Sequence, residues 1–288
     1  MRSTIEVPMF SIIMPCFNSQ EYIEKAIISC QNQIFKNWEL IIINDGSTDK
    51  TLNIINSFVS NDIRIRVYST INRGYVAAVN YGLSLIKGTY FLLLGSDDEL
   101  TPTLFSTVES HVSENDFPDM IAFRTQIDKN GTIIEDKNSL FSTTTKEFNV
   151  NINKFSSAHP DESKILFTRD TSKLFKSEKL GDLRYYGSKG MDADGIFSML
   201  FAHKASSFLC IPIIGYIWYL RDNSLSGRKK DFETQTDRIN NWIQFGKEIK
   251  KLELPFITST ERYYLIEYFY SIVKWVFLII NLIVLKQD

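Results

Sequence analysis

The sequence lacks the residues that build several common functional sites. Cysteine is scarce: Cys16, Cys30 and Cys210 stand in apolar or helical contexts without the spacing of metal ligands. The three histidines share no metal-ligand spacing either. This pattern argues against a zinc cluster or a disulfide framework, and it predicts reduced cysteines in the core of a cytoplasmic protein.

An excess of charge of one sign is missing as well. The chain of 288 residues carries 32 basic and 34 acidic side chains, which gives a net charge of −2, and it contains no basic block. Nothing here predicts nucleic acid as a partner, because nucleic-acid-binding proteins concentrate lysine and arginine. The glycine-rich phosphate loops GxxxxGKS/T and GxGxxG are also absent. The charge of any bound phosphate must therefore be balanced by a metal ion or by side chains.

The sequence has no apolar run long enough to cross a bilayer. The segment 263–285 is rich in aromatic and aliphatic residues, but Glu267 and Lys274 interrupt it and leave only Trp275–Leu285 without a charge. A spanning helix needs about 20 apolar residues. We therefore predict a helix that either packs in the protein or lies at a membrane interface, and its Tyr, Trp and Lys content favours the interface.

Short strands and amphipathic helices alternate through the first part of the chain. Between the strands, apolar residues recur at helical spacing, with Ser19 predicted to cap the first helix, Ser47 and Asp49 the second, and Gly88 to end the third. This alternation is typical of an α/β fold with a mostly parallel central sheet flanked by helices. The predicted strands are Phe10–Pro15, Glu39–Asn44, Ile63–Tyr68, Tyr90–Leu94 and Asp119–Arg124.

Two adjacent carboxylates follow the fourth predicted strand. The run Tyr90–Glu99 (YFLLLGSDDE) places Asp97 and Asp98 at the strand's carboxyl end, where open α/β sheets bind ligands. Carboxylates suit a hard divalent cation, and such a cation suits a phosphate-bearing ligand. The same two residues also fit a cap for the next helix. By themselves they leave both alternatives open.

Polar residues follow the other three strands in the same way. Because the carboxyl ends of parallel strands meet at one edge of the sheet, we expect these residues to converge on one crevice. The four segments are 15–18 (PCFN), 44–49 (NDGSTD), 72–74 (NRG) and 95–98 (GSDD). Four polar strand ends in register are not easily explained as turns alone.

These segments carry a resemblance to a known family. The stretch 15–51 (PCFNSQEYIEKAIISCQNQIFKNWELIIINDGSTDKT) closely resembles the opening of the family 2 glycosyltransferases, and NRGYVAAVNYGL and YFLLLGSDDE continue the pattern in the same order. The resemblance covers roughly residues 8–125, with a looser match over 185–226. It implies the GT-A fold and an enzyme that transfers a sugar from a nucleotide-diphosphate donor with inversion of configuration.

The resemblance also implies roles for residues at the strand ends. Asp45 matches the position that contacts the nucleotide base, which is usually uracil. Asp97 matches the last acidic residue of the family's Asp-x-Asp motif and, with Asp98, is the implied ligand of Mg²⁺ or Mn²⁺. The first acidic position of that motif is Gly95 here. The other implied donor-binding residues are Pro15, Phe17, Asn18, Asn72, Gly74, Ser96 and, in a later loop, Arg221.

A second acidic segment contains the implied catalytic base. An inverting transfer needs a carboxylate beside the acceptor hydroxyl to remove its proton. The segment 190–197 (GMDADGIF) resembles the family's Glu-Asp motif at a helix start, with Ala193 where glutamate is common and Asp194 in the position of the base. Asp192 is the reserve candidate. Both carboxylates also suit the positive end of a helix dipole, which is the purely structural alternative.

Three regions follow from these assignments. Residues 1–125 are predicted to bind the nucleotide-sugar and residues 126–230 the acceptor, and residues 231–288 are predicted to form a helical, membrane-associated extension. The predicted function is transfer from a UDP-sugar to a hydroxyl of a glycan or lipid-linked acceptor in bacterial surface polysaccharide synthesis. We expect this reaction in the cytoplasm, at the inner face of the cell membrane. A nucleotidyltransferase and a non-catalytic scaffold of the same fold are the alternatives.

Overall fold

The fold was analysed in a computed structural model. It describes residues 7–114, 117–134, 146–148, 169–187 and 192–221, together with six single positions between 236 and 247. Among these residues, no helix is long and apolar enough to cross a bilayer. The predicted C-terminal helix and its membrane contact lie outside the described residues, as does most of the extension 231–288.

Ten strands of the described chain join in one sheet, and five α-helices pack on it. The order across the sheet is β3-β2-β1-β4-β9-β6-β10-β5, with β7 paired to β6 and β8 paired to β10. The strands are β1 Phe10–Cys16, β2 Trp38–Asn44, β3 Ile65–Ser69, β4 Tyr90–Leu93, β5 Glu99–Leu100, β6 Met120–Lys129, β7 Thr132–Ile134, β8 Lys146–Phe148, β9 Lys173–Lys176 and β10 Phe208–Tyr219. The helices are α1 Ile23–Gln31, α2 Thr51–Val59, α3 Tyr75–Leu83, α4 Leu104–Glu114 and α5 Ala193–Lys204. Two 3-10 turns flank β9, at Asp170–Ser172 and Ser177–Lys179.

The first four strands form the parallel block that the sequence predicts. Strand β1 runs parallel to both β2 and β4, and β2 runs parallel to β3. All residues of β1, β2 and β4 are buried, because helices cover both faces of this part of the sheet. The register pairs Cys16 with Asn44 and Asn44 with Ser69. The loops that follow these strands therefore leave the sheet at the same edge.

Beyond β4 the sheet becomes mixed. Strand β9 is antiparallel to both β4 and β6, and it lies between them. Strand β10 runs parallel to β6, and its last residues pair antiparallel with the short β5. This arrangement carries the end of β10 to the turn that holds Asp97 and Asp98, although Tyr219 and Asp98 are 121 positions apart in the chain.

Two apolar layers hold the helices against the sheet. On one face, the rings of Phe10 and Phe105 stack at a centroid distance of 4.4 Å and join α4 to β1. On the other face, Phe175 of β9 packs edge-on against Phe197 and Phe201 of α5, at 5.4 and 4.9 Å. These aromatic contacts fix α5 on the sheet, and its first turn carries Asp194.

The structure corrects two predicted helix ends. Helix α1 begins at Ile23, and the hydroxyl of Ser19 does not cap it; that hydroxyl shares a 2.8 Å hydrogen bond with Ser96 Oγ. Helix α3 ends at Leu83, so Gly88 does not end it. At the start of α2, Asp49 Oδ1 does accept a hydrogen bond from the N–H of Thr51, at 2.9 Å.

Gly88 is needed for a close approach between two backbone segments. A Cβ atom at this position would lie 2.7 Å from the backbone nitrogen of Ser11 in β1. The N–H of Gly88 donates to Ser11 Oγ at 2.8 Å, and its carbonyl accepts from Ser177 Oγ at 2.6 Å. Since the contact is with backbone, the neighbour cannot rotate away.

We expect Gly88→Ala to lower the free energy of unfolding by about 2–3 kcal/mol through overpacking against β1. The matched control is Gly131→Ala, in an open turn with φ +83° and no heavy atom within 4 Å of the added Cβ. That control carries only the backbone cost of a left-handed residue, about 1 kcal/mol. Denaturant unfolding measures both variants, and a smaller loss at Gly88 than at Gly131 would contradict the close approach.

Candidate active site

Asp45 ties the loop after β2 to the loop after β3. Its Oδ1 accepts hydrogen bonds from Thr70 Oγ1 at 3.1 Å and from the N–H of Arg73 at 2.9 Å, and its Oδ2 accepts from the N–H of Gly74 at 2.8 Å. Gly74 has φ +89°, which suits glycine at this sharp entry to α3. Asp45 is therefore buried at the floor of a pocket of about 400 Å³, whose lining includes Arg73 and the exposed ring of Tyr81.

The loop after β1 joins the same edge. The N–H of Asn18 donates to Ser47 Oγ at 3.0 Å, and Asn18 Oδ1 accepts from the N–H of Thr48 at 2.8 Å. Pro15 is buried in β1, whereas the ring of Phe17 is about half exposed, at 47%. Asn72 is exposed, with its backbone nitrogen close beside Gly46. The structure thus brings the predicted base-binding residues of three loops together.

The two adjacent aspartates of the fourth loop have different surroundings. Asp98 is buried, and its two oxygens accept hydrogen bonds from Tyr216 Oη at 2.7 Å and from the N–H of Tyr219 at 2.9 Å. Asp97 is one third exposed, and its Oδ2 forms an ion pair with Arg221 at 2.9 Å. Burial and the negative charge of Asp97 raise the pKa of Asp98 to about 7. Burial also raises the pKa of Asp97, and Arg221 opposes that rise.

The fourth loop does not act as a helix cap. The N–H of Leu104 at the start of α4 bonds the carbonyl of Thr101 at 3.1 Å, and the N–H of Phe105 bonds Gln33 Oε1 at 3.2 Å. Both carboxylates of the loop instead contact residues of β10 and the segment after it. The capping alternative left open by the sequence is therefore wrong for α4.

Arg221 is held in place on three sides. Its guanidinium lies 4.0 Å from the ring centroid of Tyr22 and 5.1 Å from that of Tyr219. It donates to the backbone carbonyl of Asp97 at 3.1 Å as well as to the carboxylate. Ser96 of the same loop is buried, and its hydroxyl shares a hydrogen bond with the hydroxyl of Ser19 at 2.8 Å. A fixed positive charge therefore stands next to the one accessible carboxylate of the loop.

These residues fit a divalent cation with few protein ligands. Among the described residues, no three His, Cys, Asp or Glu side chains are grouped as a metal site. Both oxygens of Asp98 already accept hydrogen bonds, which leaves Asp97 as the accessible ligand. Mg²⁺ is commonly held by one or two carboxylates, with phosphate and water oxygens completing its shell. A Cβ at Gly95 would lie 2.6 Å from Asp98 Oδ2, so a side chain at this position requires the Asp98 carboxylate to shift.

Asp194 lies in the first turn of α5. It is half-buried, and its Oδ1 accepts a hydrogen bond from the N–H of Gly195 at 2.8 Å. Burial raises its pKa, an effect opposed by that hydrogen bond and strengthened by the charge of Asp192. Asp192 stands at the N-cap position with φ +60°, but its side chain makes no capping hydrogen bond. Asp194 therefore lies in the first turn of α5, as the sequence predicts, whereas the side chain of Asp192 does not cap this helix.

The sequence did not predict the two buried charged residues next to α5, Asp170 and Lys173. The 3-10 turn Asp170–Ser172 packs against α5, and it brings Asp170 and Lys173 to the neighbourhood of Asp194. Asp170 Oδ2 accepts a hydrogen bond from Tyr185 Oη, and Lys173 Nζ donates to the carbonyl of Arg169. The only signal in the sequence is a pair of opposite charges three residues apart (RDTSKLFK), which is indistinguishable from a solvated turn.

Tyr75 connects the two acidic regions. It is the first residue of α3 and packs against the core layer that contains Tyr185 and Phe197. Burial raises its pKa well above the usual value, and four carboxylates add to the rise; they are Asp170, Asp194, Asp98 and Asp97. One phenol thus lies in the electrostatic field of both acidic regions.

One protein-family model matches this chain. It is Glycosyl transferase family 2, and the match runs over residues 11–184 of the 288. It therefore includes all four loops at the strand ends and the buried pair Asp170 and Lys173.

Three named relatives differ in how much of their length is shared. An uncharacterized glycosyltransferase of Haemophilus influenzae is 45% identical over 95 residues, which are 33% of this chain and 38% of that protein. Glycosyltransferase GlyG of Streptococcus pneumoniae is 24% identical over 269 residues, 88% of this chain and 87% of GlyG. Hyaluronan synthase of Pasteurella multocida is 43% identical over 96 residues, 33% of this chain and 10% of the synthase. The chain thus spans less than two fifths of the first and third relatives.

Two solved structures share the fold. TarS of S. aureus, residues 1–349 in complex with UDP-GlcNAc, matches with a TM-score of 0.72 at 20% identity, over 88% of this chain and 69% of that chain. Mannosyltransferase PcManGT from Pyrobaculum calidifontis, in complex with GDP-Man and Mn²⁺, matches with a TM-score of 0.58 at 14% identity, over 85% and 65%. At these identities the likeness concerns the fold alone, and it confirms the predicted GT-A fold.

The hydroxyl of Tyr216 should be important for stability, because it joins Asp98 to the N–H of Gly95, at 2.7 and 3.0 Å. We expect Tyr216→Phe to lower the free energy of unfolding by about 2–3 kcal/mol, since it leaves a buried carboxylate oxygen and an N–H unpaired. The matched control is Tyr219→Phe on the same strand, whose hydroxyl donates to the half-buried Glu99 at 2.9 Å. If denaturant unfolding shows the same loss of unfolding free energy in both variants, the Tyr216 hydroxyl does not stabilise the loop through Asp98 and Gly95 as proposed.

Proposed function

The chain belongs to Glycosyl transferase family 2, and from this premise we propose that it is a metal-dependent enzyme that transfers a sugar with inversion. The proposed donor is a UDP-sugar, and the proposed acceptor is a hydroxyl of a glycan or a lipid-linked sugar. One observation carries the proposal: the accessible carboxylate of Asp97 and the guanidinium of Arg221 lie 2.9 Å apart at the edge of the sheet where the loops after the parallel strands meet. Open α/β sheets bind their ligands at this edge.

The proposed nucleotide site lies between the loops after β1, β2 and β3. Phe17 offers an exposed aromatic ring, and Asp45 holds the neighbouring loop in place with both oxygens. Asn18 and Ser96 join the loops to one another, so their proposed contribution is to shape the donor site. TarS was solved with UDP-GlcNAc, which supports the choice of a UDP-sugar here.

The proposed diphosphate site lies at Asp97 and Arg221. Asp97 would hold Mg²⁺ or Mn²⁺, and the metal when bound supplies positive charge to the departing diphosphate. Arg221 places a guanidinium at the same point, so part of that charge comes from the chain itself. Asp98 holds the loop in shape through Tyr216 and Tyr219. The complex of PcManGT with Mn²⁺ supports a metal in this fold.

Asp194 is the proposed base. Burial raises the pKa of its carboxyl, which brings it closer to the pH at which it must accept a proton. The acceptor hydroxyl would give its proton to Asp194 while its oxygen forms the new bond to the sugar and the bond to the diphosphate breaks. Asp192 remains the second candidate, outside the helix and without a capping bond.

The proposed role in the cell is synthesis of a surface polysaccharide. Hyaluronan synthase of Pasteurella multocida, which is 43% identical to this chain over 96 residues, supports this proposal. We also propose that the segment 263–285 holds the enzyme at the inner face of the membrane, where a lipid-linked acceptor is presented. That segment lies outside the described residues, and its sequence alone supports the proposal.

Release of UDP tests the reaction class. On mixing with a panel of nucleotide-sugars and Mn²⁺ or Mg²⁺, the protein should release free UDP from at least one UDP-sugar, and a chelator should reduce that release. A nucleotidyltransferase would release pyrophosphate from a nucleoside triphosphate instead. A non-catalytic scaffold would release nothing from any member of the panel, and either result would overturn the proposed function.

Replacing the base should abolish transfer without loss of donor binding. We expect Asp194→Asn to lower kcat about 10³-fold, the usual contribution of a general base, while the Kd of UDP measured by calorimetry stays unchanged. The matched control is Asp192→Asn, two residues away and outside the helix. Full activity in Asp194→Asn together with loss in Asp192→Asn would move the base to Asp192.

A further inference from the structure

The ion pair between Arg221 and Asp97 uses the accessible carboxylate of the proposed metal site. Arg221 Nη1 donates to Asp97 Oδ2 at 2.9 Å, and the two side chains are 25% and 34% exposed. Asp98 is less suited to a metal, because it is buried and its two oxygens accept hydrogen bonds from Tyr216 and Tyr219. A metal ion that binds this loop must therefore share the carboxylate of Asp97 with a guanidinium.

The guanidinium of Arg221 has contacts that do not depend on the carboxylate. Its Nη1 and Nη2 atoms both donate to the backbone carbonyl of Asp97, each at 3.1 Å. It also lies 4.0 Å from the ring centroid of Tyr22 and 5.1 Å from that of Tyr219. The Asp97 carboxylate can therefore turn away by rotation about its own side-chain bonds while the guanidinium stays at the loop.

The presence of a diphosphate reverses the effect of Arg221 on a metal ion. Two cations that share one carboxylate repel each other, and partial burial strengthens the repulsion. The oxygens of a nucleotide diphosphate bring negative charge, which a metal ion and an arginine can bind together. Arg221 therefore opposes the metal when Asp97 is the only anion between them, and it assists the metal when a diphosphate is bound as well.

We propose that Arg221 couples metal binding to donor binding. In the free protein Arg221 pairs with Asp97 and keeps the affinity for Mg²⁺ or Mn²⁺ low. When the donor binds, Arg221 pairs with its diphosphate instead, and Asp97 becomes available to the metal. The inference deepens the proposed function, since it rests on Asp97 as the metal ligand. Donor and metal then bind with positive coupling, and each raises the affinity for the other by the same factor.

A purely structural role for Arg221 predicts a different result. If Arg221 only joined the chain after β10 to the loop of Asp97, its loss would loosen that loop and weaken the binding of metal and nucleotide alike. The proposed coupling instead predicts changes in opposite directions. Loss of Arg221 strengthens the binding of the metal alone, and it weakens the binding of the nucleotide in the presence of metal.

The experiment measures two affinities of the full chain. The Kd of Mn²⁺ without nucleotide is obtained by electron paramagnetic resonance, and the Kd of UDP with and without Mn²⁺ by calorimetry. We expect Arg221→Gln to bind Mn²⁺ alone about tenfold more tightly than the unaltered protein, and to bind UDP in the presence of Mn²⁺ about tenfold more weakly. The complex that Mn²⁺ forms with UDP in solution is the same for every variant, so it cancels in the comparison.

Two further variants show whether the charge of Arg221 is responsible. Arg221→Lys keeps the positive charge and should bind Mn²⁺ alone as weakly as the unaltered protein. Lys25→Gln is the charge-matched control, since Lys25 lines the same small pocket of about 200 Å³ as Arg221 and Asp97. Lys25 is exposed, so solvent screens its charge, and both Kd values should match those of the unaltered protein.

The variant Asp97→Asn separates the inference from the proposed function. If Mn²⁺ affects UDP binding by Asp97→Asn as it does in the unaltered protein, Asp97 is not the metal ligand and the inference falls with that assignment. If Asp97→Asn removes the effect of Mn²⁺ but Arg221→Gln gains no affinity for Mn²⁺ alone, the inference is wrong and the metal site stands. A parallel loss of both affinities in Arg221→Gln also overturns the inference.

The remaining outcomes also decide. If the unaltered protein does not bind UDP, the proposed donor is wrong, and the affinity for Mn²⁺ alone still tests Arg221. Circular dichroism verifies that each variant folds. If Arg221→Gln does not fold, Arg221→Met takes its place with the same expected changes, because methionine removes the charge and keeps an apolar stem beside the two tyrosine rings.

Discussion

The parallel pairing of β1 with β2 and β4 is the constraint on which the site depends. Parallel strands in register end at the same edge, so the loops after Cys16, Asn44 and Leu93 cannot leave the sheet at different places. Short polar side chains then join neighbouring loops. Asn18 reaches Ser47, and Asp45 reaches the N–H groups of Arg73 and Gly74. These loops are therefore shaped first by the register of the strands and then by the hydrogen bonds between them.

Strand β10 supplies the partners of the two carboxylates in the fourth loop. Tyr216 and Tyr219 donate hydrogen bonds to Asp98, whereas Arg221, just after the strand, pairs with Asp97. Asp98 is buried with both oxygens hydrogen-bonded, whereas Asp97 is partly exposed beside the guanidinium of Arg221. Two neighbouring identical residues thus serve two purposes, one structural and one proposed to be functional, because burial and partners differ at a separation of one residue.

Burial also governs the charged groups beside α5. Helix α5 is held on the sheet by Phe175, Phe197 and Phe201, and the exclusion of water that stabilises this layer also raises the cost of charge within it. Burial accordingly raises the pKa of Asp170 and of Asp194 and lowers the pKa of Lys173.

Local pattern in the sequence determined the α/β class, the bounds of the first four strands to within about two residues, the family, and the four polar strand ends. These features follow from apolar periodicity and from short motifs, which are encoded by neighbouring residues. The helix ends were predicted less well, because Ser19 bonds Ser96 of another loop and Gly88 lies against the backbone of β1. Only the tertiary structure decided that Asp98 accepts hydrogen bonds from Tyr216 and Tyr219, that Arg221 pairs with Asp97, and that Lys173 is buried within the sheet. The physical reason is that burial and the charge of distant neighbours set these properties, and neither is present in a local stretch of sequence.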